Sequence, residues 1–444
     1  MKRKAEIWLA LVLIAVGGVI AAVVGLFSYI SLTATPLHPD AQTISAVTRA
    51  EPSPKWAEAV QRGRQIVRAG LIEQNLPGVS VAVGAGGAIV WAEGFGWADL
   101  HNHVPATPDT RFRIGDASRA LTSAAVGLLL EKNELKLDDE IQTYVPEFPR
   151  KQWPVTVRQL MGHLAGLRDD QGDEAWLKPC ERTLDGLPLF ADQSQLFEPS
   201  TQYRSSSYSW ILVSAAVEAA AHVQFFSFMR TQIFEPLGMA ATLPDSSAEH
   251  IPDKATFYFP RFAGDTRYGP ELTREGDHSC YAGASAFLST PSDLVRFAFG
   301  FTGGKLLQPA TVAILQTPQR LTSGALTGYG LGWNLETVPL AGQHARMAGH
   351  GTKADFIGGT TYLMTFPDRD LVVAVTTNIS FAETKSLALK IAEEFAKQRT
   401  TRALLQPQRL DRINAHSLER RYDRRERRDQ QQDGGHADER RRID

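Results

Sequence analysis

From Ile7 to Ile30 the chain carries no charged side chain, reading IWLALVLIAVGGVIAAVVGLFSYI, and this run restricts what its beginning can fold into. A helix of roughly 20 apolar residues crosses the ~30 Å hydrocarbon core of a bilayer. The run follows a basic start, Met1-Lys2-Arg3-Lys4. The excess of positive charge places that start in the cytoplasm and everything after Thr35 outside. A cleaved signal peptide has a shorter apolar stretch, about 7–15 residues, followed by a small-x-small cleavage site. Ser31-Leu32-Thr33-Ala34 fits that pattern poorly. The reading is therefore a retained signal-anchor in a single-pass membrane protein, with a periplasmic or otherwise extracytoplasmic domain.

Composition narrows the rest. Lys and Arg number 47 against 49 Asp and Glu in 444 residues, so no field exists to recruit nucleic acid. Two cysteines exclude a disulfide scaffold, and the eleven histidines show no H-x-x-x-H or H-E-x-x-H spacing. No metal and no cofactor is expected. Residues 36–55 are rich in Pro, Thr, Ser and Ala, as expected of a linker. Residues 401–444 form a charged tail, and from Arg409 Arg alternates with Asp and Glu with few apolar residues between; such a stretch cannot bury enough surface to order itself.

The folded body is expected over 56–400. Trp56 to Leu71 has helical spacing. Val79–Val83 and Ala88–Trp97 flank Gly84-Ala85-Gly86-Gly87 and predict a hairpin. Thr360–Phe366 and Leu371–Thr377, joined by Pro367-Asp368-Arg369-Asp370, predict a second, followed by a helix over Glu383–Gln398. Between them Ala117–Glu131, Thr156–Leu164, Tyr208–Ala220 and Ser292–Phe299 have the 3.6-residue period of helices. This order predicts an α+β fold. Terminal segments share one antiparallel sheet flanked by terminal helices, and a large, mostly helical insertion spans about 113–290.

Several segments then carry a specific likeness. Phe112-Arg113-Ile114-Gly115, Leu121-Thr122, LKLDDEIQTYVPEF (135–148), VTVRQLMGHLAGL (155–167), Phe197-Glu198-Pro199-Ser200-Thr201, Pro236-Leu237-Gly238-Met239, AGASAFLSTPSDLVRF (282–297) and Tyr329-Gly330-Leu331-Gly332-Trp333 follow one another in order. Together they resemble the serine β-lactamase and penicillin-binding-protein superfamily, in its class C-like branch that includes the mitochondrial serine β-lactamase-like hydrolases. The resemblance implies the β-lactamase/transpeptidase fold over roughly Trp56 to Lys397.

It also implies a catalytic serine at a helix start with a lysine one turn later, where the amine takes the hydroxyl proton. Asp116 and Arg119 stand at those positions, and no S-x-x-K occurs in the chain. Arginine stays protonated in proteins and cannot act as the base. Asp116 reads instead as an N-cap that also pairs with Arg119 at i,i+3. The family's Tyr-x-Asn or Ser-x-Asn triplet corresponds to Ser205-Ser206-Ser207, so both of its functional positions, Ser205 and Ser207, hold serine. Tyr203 and Tyr208 are alternatives that reach the pocket or are core aromatics. The Lys/His-Thr/Ser-Gly motif corresponds to His350-Gly351-Thr352, or two residues later to Thr352-Lys353-Ala354; either register departs from the pattern. Ser118 is a candidate for a shifted nucleophile but has no basic partner three residues on. Cys180 and Cys280 fall, by the resemblance, near the mouth of the cleft, as a single bridge or as buried thiols.

Three degraded motifs in one chain imply a pseudoenzyme: a membrane-anchored, β-lactamase-related domain that binds a peptidoglycan or peptide ligand, or regulates. The alternatives are an active hydrolase of a peptide, ester or lactam using Ser118 or Ser205, and an oligomerising scaffold, since members of the mitochondrial branch assemble into filaments. The oligomeric state is left open by the sequence.

Overall fold

The computed structural model describes residues 2–170, 179–247, 250–273, 276–351 and 358–405. The chain divides into a unit of residues 1–396 and a second of 397–444. The described part of the second is helical up to Leu405, so the first residues of the expected tail continue a helix, and the remainder of the tail lies outside the described residues.

The main sheet is built from both ends of the larger unit. Gly78–Ala85 and Ala88–Asp99 pair as the predicted hairpin, turning through Gly86 and Gly87 at φ +67° and +77°. Two residues with positive φ give the turn whose twist matches the flanking strands, which is why glycine occupies both. Leu371–Thr377 lies against Gly78–Ala85 on one side and Thr360–Phe366 on the other. A hairpin of Asn334–Leu340 and Gln343–Gly351, which periodicity alone did not reveal, extends the sheet to one edge. Ala46–Thr48 forms the other edge against Glu93–Phe95.

That edge strand corrects the reading of residues 36–55 as a linker. The Leu37 N–H donates to Asn75 Oδ1 at 2.7 Å, the Ser45 hydroxyl donates to the Gly96 carbonyl at 2.9 Å, and Ile44 is buried. Backbone groups of the exposed sheet edge and one asparagine capture a segment whose composition suggests a free tether.

Alternation along the central strands buries both faces. Val79, Val81, Val83, Val373 and Val375 pack beneath the helix Ala57–Glu73 and residues 384–396 of the last helix, with Trp91 stacked on Phe395 at 6.0 Å. Ala82, Leu363, Val372 and Ala374 face the insertion, where Leu121, Trp210, Phe297 and Trp333 form the larger core. Gly84 permits the Pro291–Thr302 helix to lie directly on the sheet: a Cβ there would meet Val295 and Phe299 at 2.5 and 2.4 Å. The result is a three-layer α+β fold of helices, antiparallel sheet and helical insertion.

Cys180 and Cys280 are joined by a disulfide with Cα atoms 4.8 Å apart. Both are buried in the insertion's core, and the Cys180 N–H donates to the Ser279 hydroxyl at 2.8 Å. The bridge closes a loop with a sequence separation of 100. Replacing both cysteines by alanine is expected to lower the unfolding free energy by about 2–5 kcal/mol, read from the urea midpoint; an unchanged midpoint would mean that the bridge constrains nothing.

Candidate functional site

The chain enters the site through Phe112–Arg113, a short strand paired with Leu288–Ser289. Gly115, at φ +50°, turns it into a 3₁₀ turn over Gly115–Ala117, and the α-helix Ser118–Glu131 follows. Asp116 therefore sits in the turn ahead of the helix, and Ala117 is the N-cap residue. The expected capping role is corrected: the Asp116 carboxylate is directed at Arg119, with 2.7 Å from Oδ1 to Nη2. Arg119 is 3% exposed in its side chain and Asp116 14%. The guanidinium also donates to the hydroxyls of Ser205 at 3.3 Å and Ser207 at 3.1 Å.

The triplet Ser205-Ser206-Ser207 opens the helix Ser207–Ala221, with Ser206 as its N-cap accepting from the Ser209 N–H. The Ser206 N–H donates to His163 Nδ1 at 3.2 Å, and the Ser207 N–H to Asp169 Oδ1 at 2.6 Å. His163 is buried, and its ring lies 4.8 Å from that of Tyr329 and 5.8 Å from that of Tyr203. On the sheet side His350 belongs to the Gln343–Gly351 strand, opposite Leu363. Its Nε2 is 2.8 Å from the Tyr329 hydroxyl. Tyr329 begins the segment that passes over the helix, where Gly332 at φ +97° has no room for a Cβ between Ser123, Trp210 and Arg119.

The structure thus brings together Asp116, Arg119, Tyr203, Ser205, Ser207 and His350, and it adds His163, Asp169 and Tyr329. Tyr329 lay in a recognised segment whose tyrosine had no assigned role, and His163 in another; nothing in the spacing linked either to His350. Two expected pocket residues are not there. Tyr208 is fully buried and stacked on Phe190 at 4.5 Å, since at a helix start it points to the opposite side from Ser205. Ser118 is wholly inaccessible: two residues past Asp116 it is turned into the core, and Thr122 donates to its carbonyl at 3.1 Å. Thr352 and Lys353, and with them the register of the third motif beyond Gly351, lie outside the described residues.

The chemistry of this arrangement is that of a filled site. The ion pair cancels its own charge, and Arg119 supplies no lone pair. Burial raises the phenol pKa of Tyr203, and that of Tyr329 far more, so both remain neutral. A cleft of about 850 Å³ lies elsewhere, between the hairpin turns and the Pro291–Thr302 helix, lined by Gly86, Arg296, Phe299, Lys305 and Asp370, and shares none of these residues.

A buried charged network supports the entry strand. Asp245, 1% exposed, accepts from Arg113 Nε at 2.6 Å and Lys254 Nζ at 2.5 Å, and the Arg113 guanidinium covers the Phe257 ring at 4.2 Å. The His278 N–H donates to the Asp245 carbonyl at 3.2 Å. Burial would raise the Asp245 pKa, but Arg113 and Lys254 outweigh it and hold it at about 2. Burial, reinforced by Arg113, lowers His278 to about 3. An unfolded His278 takes up its proton near pH 6.5, whereas the folded one resists until about 3, so stability falls as the pH drops through that interval. Asp245 adds stability above 3.8 that is lost between 3.8 and about 2. Urea midpoints are expected to decline from pH 7 to pH 4, and His278→Gln to flatten that decline; an equal slope in the variant would remove His278 from the explanation.

The Beta-lactamase family profile matches residues 64–395. The human serine beta-lactamase-like protein LACTB, mitochondrial, is 25% identical, with 82% of this chain and 85% of that protein covered. Penicillin-binding protein 4* of Bacillus subtilis is 26% identical over 71% of each chain. Among solved structures, FmtA from Staphylococcus aureus superposes with a TM-score of 0.64 at 18% identity, covering 80% of this chain and 93% of that one. The match over most of the folded unit, with the segments in the same order, places this chain in the Beta-lactamase family.

Proposed function

We propose that this chain is a membrane-anchored, extracytoplasmic β-lactamase-related domain that has lost serine acyl transfer and works by binding a ligand. One observation carries the reading: the positions of the family's nucleophile and base are occupied by the Asp116–Arg119 ion pair, whose guanidinium also holds Ser205 and Ser207. A carboxylate so paired is a poor nucleophile, and its attack on an amide would give a mixed anhydride with no activating base. The active-hydrolase alternative is weakened because Ser118 is inaccessible and Ser205 accepts a bond from a permanent cation. The anchor rests on Trp8–Thr33, long and apolar enough to cross a membrane, and the extracytoplasmic side on the basic residues before it. Relatives named as penicillin-binding protein and D-aminopeptidase suggest a peptidoglycan fragment or another peptide as the ligand class.

The native protein is expected to give no covalent adduct with a penicillin or a fluorophosphonate probe by mass spectrometry, and an adduct on any serine overturns the proposal. Asp116→Ser combined with Arg119→Lys restores the family pair and is expected to gain labelling at residue 116. Ligand binding is read separately by thermal unfolding. A peptidoglycan fragment at about 100 times its dissociation constant adds about 2.7 kcal/mol of stability, and a melting temperature that no peptide fragment moves argues for a scaffold instead.

A further inference from the structure

The first helix does not hang from the domain on a flexible tether. Near its end Phe27 meets Phe262 and Tyr268 edge to face, at 6.1 and 5.9 Å between ring centroids. Ile30 is buried. Arg261 then reaches the last turn, donating from Nη1 to the Thr33 carbonyl at 3.3 Å and from Nη2 to the Thr33 hydroxyl at 3.1 Å. A helix leaves its final carbonyls without intrahelical donors and carries partial negative charge there, so an arginine supplied by the domain is a favourable cap. Two residues beyond, Asn75 Nδ2 donates to the Thr35 carbonyl at 3.2 Å, and its Oδ1 accepts from the Leu37 N–H.

The residues that hold the helix belong to a hairpin, Tyr258–Pro260 paired with Pro270–Leu272, whose connection contains Phe262, Arg267 and Tyr268. The hairpin is itself fixed to the core: the Tyr258 N–H donates to the Asn378 carbonyl at 2.9 Å, and the Ser380 N–H to the Tyr258 carbonyl at 3.2 Å. Counting from Ile7, the first residue after the charged start, roughly 20 helical residues fill the hydrocarbon core and end at Leu26. Phe27 and the ring pair against it therefore fall where acyl chains give way to headgroups. Aromatic rings are the side chains this layer accommodates; of the two arginines beside them, Arg261 caps the helix at Thr33 and Arg267 pairs with Asp265 at 2.6 Å, so neither carries an unpaired charge into the layer.

We infer that residues 258–272 are a second membrane contact, with the Phe262 and Tyr268 side of the hairpin lying in the headgroup layer of the bilayer that the helix crosses. The inference rests on the anchor reading given above and extends it from attachment to orientation. The domain is held at a fixed height and attitude, since helix, hairpin and sheet are joined without slack. The hairpin's Gly264 lines a cleft of about 340 Å³ with Gly351, Glu336 and Lys385 on the terminal-helix face of the sheet, while His350, one residue from Gly351, faces the insertion on the other side.

The test uses the full chain, disulfide intact, in vesicles of phosphatidylcholine and phosphatidylglycerol. Single cysteines replace the exposed residues Leu13 in the helix, Ala263 beside Phe262, and Lys305 in the separate cleft beside Gly86 and Asp370, and each carries a nitrobenzoxadiazole label. The expected result is that lipids bearing a doxyl quencher remove most of the emission at positions 13 and 263 and none at 305, with the label at 263 blue-shifted on vesicle binding. Quenching at 13 but not at 263 overturns the hairpin contact and leaves the anchor standing. No quenching at 13 overturns both. Equal quenching at 263 and 305 overturns the fixed orientation.

Discussion

The pairing of Leu371–Thr377 with Gly78–Ala85 is the constraint on which everything else in this molecule depends. It brings together residues almost the whole folded length apart: the Thr377 hydroxyl donates to the Gly78 carbonyl at 2.7 Å across 299 positions. Closing a loop of that length costs about 5 kcal/mol by the logarithmic law, before any constant term. A few ladder hydrogen bonds, each worth about 1 kcal/mol net, do not comfortably offset it. The strands hold because both faces of the pair are buried at once, one under the terminal helices and one under the insertion. Neither layer is an accessory. Each supplies apolar area that the central pair needs, and the insertion places the site against the sheet as a by-product of that burial.

The site inherits its rigidity from this arrangement. Arg113, on the strand that enters it, is held by a carboxylate that also carries Lys254, and the Thr361 hydroxyl of the sheet donates to the Arg113 carbonyl at 3.2 Å. From there the chain has only Ile114 and Gly115 before Asp116, so the carboxylate is delivered to a fixed place beside Arg119. Buried ion pairs gain little net stability, because desolvation consumes most of the Coulomb term. What this pair gains is order, since the guanidinium gathers the start of the Ser207–Ala221 helix against the Ser118–Glu131 helix.

Much of the fold was legible because burial imposes a period. The two hairpins that supply the central strands, the two terminal helices and the long helices Ser118–Glu131 and Ser207–Ala221 announce themselves by alternation or by a 3.6-residue stripe. The edge hairpin over 334–351 did not, since Gln343–Gly351 mixes Gln, two His, Arg and four small residues with a single large apolar one. The segment 36–55 misled for the converse reason: composition reports what a segment could do alone, and Asn75 and the edge of the Ala88–Asp99 strand are not in it. In the site, the identities at 116, 119, 205 and 207 were readable by alignment of segments. The separation of Tyr203 from Tyr208 was not, because it depends on the residue at which a helix begins. The Arg113–Asp245–His278 network has no sequence signature at all, its members being far apart and joined only by the small sheet beneath them.

The Asp116–Arg119 pair also ties its two positions together energetically. Serine at 116 alone would strip a buried guanidinium of its carboxylate, the kind of change that costs about 3–5 kcal/mol. Lysine at 119 alone would leave an ammonium facing Asp116, still charged and still without a nucleophile beside it. Each single substitution therefore loses stability or leaves the pocket charged and closed. The two positions are one unit: what either residue can become is set by what the other still holds.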